Sequence, residues 1–310
     1  MTVEEFARWE QSHGARVIAA NGIFWRRVRP FFYRPLLPYQ EFPPPPAAGP
    51  FAAFPGGFQH AVPPSARTNS VVNLLLCENP ATYSLNDLDR HERREIKRAA
   101  EAFTVAPATD VNEFREPAYR VYRSFYDRTK YGYQSGRRHE GNFAKWADLV
   151  FRTPKVIVLA AHKRNRELGA VGIWQLVEDT MVYSTFFCDT ESLRLHVTGL
   201  MLHTMREALA GCRDVRQIFV GSWKYDGARG VDAFYLARGC KLVSKPAWLQ
   251  LNPLTAWGLK WLLPRQYGQL LGNLPQATGD QSGERGVASR RRGIAAIPGA
   301  EPSVEEKSGA

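Results

Sequence analysis

The sequence of 310 residues contains no apolar run of membrane-spanning length and only four cysteines. A transmembrane helix needs about 20 consecutive apolar residues, so we expect a protein that is not transmembrane. The cysteines form no close pair, which argues against a zinc site and favours buried free thiols at Cys77, Cys188, Cys212 and Cys240. We therefore expect no metal. The acidic N-terminus lacks the order of a signal peptide, which predicts a cytoplasmic location.

Acidic residues are scarce relative to basic ones. The chain has 30 Asp and Glu against 41 Lys and Arg, which gives a formal net charge of +11. Residues 274–310 hold the two signs in equal number, so the excess positive charge lies in the residues before them. Such an excess favours a polyanionic partner, namely a phosphorylated cofactor, RNA or an anionic membrane surface. Charge alone leaves these three open.

Several catalytic patterns are missing, including a Ser-His-Asp arrangement and a phosphate-binding P-loop. The hydrophobic periodicity instead predicts, from Val111 onward, the order helix, helix, three strands, helix, strand, helix, strand. Before it come a hairpin at Asn21-Gly22, a Pro-rich connector over 41–50, a buried strand over 70–77 and a basic helix within 83–103. This order is neither an alternating βαβ series nor an all-β meander.

The same reading divides the chain into four parts. Residues 1–106 are predicted to form a divergent, smaller N-terminal lobe, and residues 107–255 a second lobe. Residues 256–273 are aromatic-rich and apolar, and Pro264 interrupts their helical pattern. Residues 274–310 are rich in Gly, Ser, Arg and Glu, which predicts a disordered tail.

Two short stretches resemble the GNAT acyltransferase superfamily. Residues 194–199, RLHVTG, are similar to the loop that in this superfamily holds the pyrophosphate of coenzyme A, although Val197 stands where the middle glycine is usual. Residues 232–243, DAFYLARGCKLV, are similar to the following helix and strand, with Tyr235 and Gly239 at the family spacing. The basic helix within 83–103 and the segment FVGSWKYDGARGVDAFYLARG resemble the FemAB-like and aminoacyl-tRNA–protein transferase group.

The resemblance implies an α/β fold of GNAT type, with a mixed, largely antiparallel sheet flanked by helices and a divergent smaller N-terminal lobe. It implies an acyl-CoA cofactor, whose phosphates would contact Arg194, Val197, Thr198 and Gly199. Tyr235 would be the general acid that protonates the leaving group, or a buried core tyrosine. The candidate bases for the amine are Tyr183, Asp189, Glu191 and Glu178. Asp189, at the end of a central strand, is preferred, and its alternative role is a helix cap.

The loop between the two predicted helices after Val111 is basic, aromatic and glycine-containing. Such a composition suits a grip on an anionic ligand, although a solvated loop would have it too. The predicted substrate-binding residues are Arg128, Lys130, Tyr131, Tyr133, Arg137 and Arg138.

The resulting functional hypothesis is N-acyl transfer from acyl-CoA or aminoacyl-tRNA to an amine acceptor that the sequence does not identify. The alternative is a catalytically degenerate GNAT-like module that binds RNA, anionic lipid or protein.

Overall fold

The computed structural model describes residues 1–44, 49–130, 135–224 and 230–273. The predicted tail, 274–310, lies outside the described residues, and its disorder stays a prediction. Within the described part of the chain, no helix is both long and apolar enough to cross a bilayer.

Eleven strands form one sheet. In chain order they are β1 (Val17–Ala20), β2 (Ile23–Arg29), β3 (Phe32–Pro35), β4 (Gly57–Ala61), β5 (Ser70–Glu78), β6 (Phe103–Pro107), β7 (Val156–Lys163), β8 (Leu168–Val177), β9 (Thr180–Cys188), β10 (Gln217–Ser222) and β11 (Lys241–Leu251).

Nine α-helices flank this sheet in the described residues. They are α1 (Val3–Ser12), α2 (Arg90–Ala102), α3 (Val111–Thr129), α4 (Glu140–Arg152), α5 (Thr190–Arg194), α6 (Val197–Ala208), α7 (Val231–Ala237), α8 (Pro253–Leu262) and α9 (Pro264–Leu271). The predicted element order after Val111 is confirmed, and Pro264 begins α9 as the second half of the interrupted helix.

The sheet order is β1-β2-β3-β4-β11-β5-β10-β9-β8-β7-β6. Only the β3–β4 and β9–β10 pairs are parallel, so the predicted mixed, largely antiparallel sheet flanked by helices is confirmed. The sheet is continuous across the predicted lobe boundary, since β5 of the N-terminal segment lies between β11 and β10. The boundary at 106–107 falls within β6, and the division into lobes stays a prediction.

Each face of the central sheet has its own hydrophobic core. One core joins α1, α3 and α4 to the strands, with Trp9, Phe114 and Phe143 among its buried side chains. The other joins α2 and α6, with Ile96 and Met201 fully or almost fully buried. Successive side chains of a strand point to opposite faces of the sheet. A strand that is covered on both faces, such as β8, therefore has a nearly continuous apolar sequence.

The expectation of four free thiols is wrong for one pair. Cys77 and Cys240 form a disulfide, with Cα atoms 4.3 Å apart. The β5–β11 ladder explains the pairing, because Leu76 lies opposite Lys241 and the two cysteines are the next residues along. A sequence separation of 163 residues hid this contact. Cys188 and Cys212 are free, as expected.

Candidate functional site

The central sheet opens between two neighbouring parallel strands. β9 and β10 are paired at only three positions, the last of which joins Val182 to Phe219. Directly after Phe219, a register shift in the ladder to β5 bends β10. β9 continues to Cys188, and no described strand pairs with it on that side beyond Val182. This opening between the strands, followed by α6 and α7, is the feature around which we describe the site.

Aromatic side chains with buried polar atoms line the opening on the α6 face. The rings of Trp174 and Tyr183 stack with centroids 3.7 Å apart and planes at 2°. Neither Trp174 Nε1 nor the Tyr183 hydroxyl has a hydrogen-bond partner among the described residues, although both atoms are buried. Burial raises the pKa of Tyr183 well above its usual value, and Tyr235 and Cys188 nearby raise it further. Buried polar groups without a hydrogen-bond partner are uncommon, and a bound ligand is one explanation for them.

Tyr235 belongs to this cluster. It lies on α7, packs against the core of the α6 face, and its pKa is raised by burial. The predicted general acid therefore lies beside the opening and next to a second phenol, Tyr183. Both phenols stay protonated at neutral pH and are hydrogen-bond donors. The catalytic role of Tyr235 stays a prediction.

Cys188 at the end of β9 is a thiol rather than a thiolate. Burial raises its pKa to about 11, outweighing the opposing effect of the neighbouring Arg128. The Arg128 guanidinium, from the last turn of α3, donates to the Cys188 carbonyl at 3.2 Å and to Thr190 Oγ1 at 3.1 Å. Arg128 thus ties the predicted substrate loop to the end of β9. Thr198 on α6 lies beside the Cys188 thiol, and its hydrogen bond to that thiol lowers the pKa of Cys188 slightly against the effect of burial.

Asp189 follows Cys188 and caps α5, accepting a bond from the Ser192 amide at 2.6 Å. Its other oxygen lies 3.1 Å from Lys163 Nζ, which also contacts Glu191. Burial lowers the pKa of Lys163, but its bonds to the two carboxylates outweigh this effect and raise it. Asp189 is therefore an ion-paired cap at the rim of a cleft of about 850 Å³ between α3 and β7. Its role as a base stays a prediction.

The join between α5 and α6 carries the predicted phosphate-binding residues. Arg194 is exposed, whereas Val197 is fully buried at the first position of α6. Gly199 packs against Arg238, because an added Cβ would lie 2.9 Å from Arg238 Nε. The glycine is thus explained by a protein side chain. Phosphate binding at Arg194, Val197, Thr198 and Gly199 stays a prediction.

Buried ion pairs lie beneath this join. Arg238 contacts Glu92 at 2.7 Å and Glu95 at 2.9 Å, and Glu95 also lies 3.3 Å from His196 Nδ1. His91 would complete a group of metal-ligand type with the two glutamates, but Arg238 already pairs with both carboxylates. Arg238 therefore fills the space directly beside Gly199, and its positive charge is already taken up by Glu92 and Glu95.

The remaining predicted substrate-binding residues point in different directions. Lys130 ends α3 and lies 3.8 Å from Asp127. The Arg137 guanidinium lies over the Trp146 ring at 4.4 Å, and Arg138 over Tyr126 at 4.7 Å. Tyr131 and Tyr133 lie outside the described residues. Arg128, by contrast, donates hydrogen bonds at the end of β9.

A basic face flanks the site on α2. Ile96 and Ala99 of this helix are buried against the core, and α2 packs on α6. Its opposite side exposes Arg90, Arg94, Lys97 and Arg98. The helical spacing in the sequence predicted this face, whereas it gave no signal for Trp174 or for the pairing of Arg238. The hint that the sequence offers for this pairing is the position of Arg238, a charged residue directly after the apolar stretch of α7.

These elements define an α/β protein of the FemAB-like GNAT fold, as the sequence resemblance predicted. Among solved structures, FemX is similar, with a TM-score of 0.53, 10% identity, and coverage of 87% of this chain and 93% of that chain. The C-terminal domain (DUF2156) of the "Putative Lysylphosphatidylglycerol Synthetase" from Agrobacterium fabrum gives a TM-score of 0.50 with 12% identity, over 83% of this chain and 90% of that one. At these identities the likeness establishes the fold alone. No family model matches the sequence, and the search of curated proteins found no relative.

Proposed function

We propose that this protein is an N-acyltransferase that moves an aminoacyl group from an ester donor, of the aminoacyl-tRNA kind, to an amine. The observation that carries the proposal is the pair of half-buried tyrosines, Tyr183 and Tyr235, whose phenols lie beside the opening between β9 and β10. FemX has the same fold, and the name of the A. fabrum protein refers to the synthesis of an aminoacylated lipid. Fold-level analogy supports the reaction class without identifying the substrate.

The raised pKa of the phenols favours an oxygen leaving group over sulfur. A thiolate, with a thiol pKa of about 8.5, leaves without needing a proton from a weaker acid. The oxygen of a sugar ester is far more basic and needs a proton as it departs. Phenols held protonated by burial are suited to that second task, and Tyr235 is the preferred donor.

The proposed reaction has no covalent enzyme intermediate. The neutral amine attacks the ester carbonyl, and the tetrahedral intermediate collapses as Tyr235 gives its proton to the departing oxygen. The amine nitrogen then returns a proton to the phenolate, so the enzyme is restored. Cys188 takes no part as a nucleophile, because a thiol with a pKa of about 11 is protonated at neutral pH. Asp189 is assigned no step in this reaction, because its carboxylate pairs with Lys163 at the rim of the cleft between α3 and β7.

Charge supports tRNA as the donor. The exposed arginines and lysine of α2 form a basic face beside the site, and the chain has a net charge of +11. Arg238 packs against Gly199 and pairs with Glu92 and Glu95, so its side chain occupies the place where a pyrophosphate would approach the glycine, which weakens the case for acyl-CoA. Acyl-CoA therefore enters as the competing donor in the test.

Thermal denaturation with two ligands tests the donor. A ligand at a hundred times its Kd adds about 2.7 kcal/mol to stability, so a tRNA pool should raise the melting temperature while coenzyme A leaves it unchanged. A mixed tRNA pool charged with radioactive amino acids should then transfer label to amine acceptors. Tyr235→Phe should reduce transfer without weakening tRNA binding. A shift with coenzyme A alone would overturn the ester proposal.

A further inference from the structure

Exposed aromatic and aliphatic side chains form a surface next to β4 and β11, which are far from β6 in the order of the sheet. It consists of Phe51, Phe54, Leu254, Trp257, Trp261 and Leu262, and we call it the aromatic surface. Phe51 is 92% exposed and Leu254 81% exposed. Leu254, Trp257 and Trp261 have the spacing that puts residues on one side of a helix. Monomeric soluble proteins rarely expose a contiguous apolar patch without a partner for it.

The aromatic surface is held firmly to the fold. The Thr255 hydroxyl of α8 donates to the Pro55 carbonyl at 2.8 Å, and Asn252 Nδ2 donates to the Phe54 carbonyl at 3.2 Å. The Asn252 side chain also caps α8 by accepting from the Leu254 amide at 3.0 Å. These bonds join the turn that carries Phe51 and Phe54 to α8. The apolar side chains are therefore presented together on a preformed face.

Its tryptophans are exceptional in this chain. All eight tryptophans lie in the described residues, and only Trp257 and Trp261 are exposed, at 63% and 67%. Tryptophan favours the boundary between water and hydrocarbon, where the ring is sheltered and its N–H stays hydrated. Aliphatic neighbours such as Leu254 and Leu262 suit an acyl layer better than nucleic-acid bases, which stack on flat rings.

The charges around the aromatic surface have one sign. No Asp or Glu occurs in residues 14–40, 42–77 or 233–273, the stretches that form the surface and its surroundings. Lys260 and Arg265 are exposed on α8 and α9, and Arg27 and Arg29 are exposed on β2. β2 is close, since Gly57 beside the turn donates to the carbonyl of Phe31, which follows β2. Basic side chains around apolar rings complement an anionic lipid surface.

We propose that the aromatic surface docks the protein on an anionic lipid bilayer, with the rings at the level of the headgroups. A second copy of the chain fits poorly, because it would bring like charges together. The tail fits poorly too, because residues 274–310 contain no aromatic residue and as many acidic as basic ones. This inference is independent of the transfer reaction, since no residue of the surface belongs to the β9–β10 opening.

Vesicle flotation with the full chain tests the proposal. Vesicles of phosphatidylcholine with one third phosphatidylglycerol should bind the protein, and pure phosphatidylcholine vesicles should bind it at least tenfold more weakly. The double variant Trp257→Ala/Trp261→Ala should lose at least tenfold in partitioning. Because both rings are exposed, its melting temperature should match that of the wild type.

Charge reversal supplies a matched pair of variants. Lys260→Glu should weaken binding to anionic vesicles severalfold, and raised salt should weaken wild-type binding as well. Arg213→Glu, at an exposed residue that precedes β10 at the other end of β5, should leave binding unchanged. Equal loss from both reversals would overturn the proposal, because it would show a response to net charge alone.

Three further outcomes would overturn the proposal. The first is equal partitioning of the wild type and the double tryptophan variant. The second is a dimer that dissociates in the double variant, which would assign the surface to a second copy. The third is strong vesicle binding that appears only after truncation at Asn273, which would show that the tail covers the surface in the full chain.

Discussion

The opening between β9 and β10 and the aromatic surface use similar side chains in opposite ways. Trp174 is fully buried at the opening, stacked on Tyr183, whereas Trp257 is 63% exposed on α8. At the opening, polar tips are buried without partners, so the site is ready for a ligand that supplies hydrogen bonds. At the aromatic surface, the rings themselves lack a partner. We infer that the first suits the recognition of polar groups and the second suits an apolar phase.

The difference comes from the neighbouring elements rather than from local sequence. Trp174 lies on a central strand with helices on both faces, so any ring there is covered. Trp257 follows β11, where the chain leaves the sheet and no described element packs over α8 on its outer side. An apolar residue pattern predicts a strand or a helix, but the cover depends on elements distant in sequence.

Removing the two rings gives the largest contrast in stability. Trp174→Ala should destabilise the fold by about 3–5 kcal/mol, because it creates a cavity in the core. Trp257→Ala should change the free energy of unfolding by less than about 0.5 kcal/mol, since the ring is exposed. Urea denaturation of both variants measures the contrast. Equal destabilisation would show that α8 is covered in solution, which would remove the distinction between the regions.

Breaking the ion pairs beneath the α5–α6 join should give the next largest loss of stability. Arg238→Ala should cost about 3 kcal/mol, because it leaves Glu92 and Glu95 without their buried partner. Adding Glu92→Gln and Glu95→Gln to this variant should restore part of the loss. Urea denaturation measures both changes, and Arg213→Glu is the control at an exposed arginine. A neutral Arg238→Ala would contradict the structural role that we assign to this pairing.

The sequence predicted the fold better than the site. Periodicity identified the order of elements after Val111, because β7, β8 and β9 are long apolar runs joined by short turns. It also located Tyr235 on α7. It could not predict that Gly199 packs against Arg238 or that Trp174 stacks on Tyr183, since each contact joins separate elements. The Cys77–Cys240 disulfide was missed for the same reason.

Acidification should affect the core and leave the aromatic surface alone. Burial lowers the pKa of His13 to about 4 from its ordinary 6.5, despite its bond to the Trp9 carbonyl. Between these values the unfolded chain binds more protons, so this contribution to stability is lost as pH falls from about 6.5 towards 4. Glu10 nearby has a raised pKa and acts in the opposite sense, so a variant is needed to isolate His13.

His13→Phe should flatten the dependence of the urea midpoint on pH across that window. An unchanged slope would contradict the assignment. Vesicle binding should stay constant between pH 7 and pH 5, because the charge that we place around the aromatic surface comes from arginines and a lysine and not from histidine or carboxylates.

Tyr183→Phe should give a small change in stability and the clearest change in function. The hydroxyl is buried without a partner, so its removal should leave the fold equally stable or more stable by up to about 1 kcal/mol. A hydroxyl kept for packing alone would give the same result, so the discriminating readout is the donor. If the hydroxyl binds the ester, the variant should bind charged tRNA more weakly while binding uncharged tRNA normally. Tyr83→Phe is the matched control, since that hydroxyl already has a partner in His203 Nδ1 at 2.9 Å and lies away from the opening. Its removal should cost about 1 kcal/mol and leave the affinity for charged tRNA unchanged. Weaker binding of charged tRNA by both variants would remove the functional difference between a satisfied and an unsatisfied phenol, and with it the case for Tyr183.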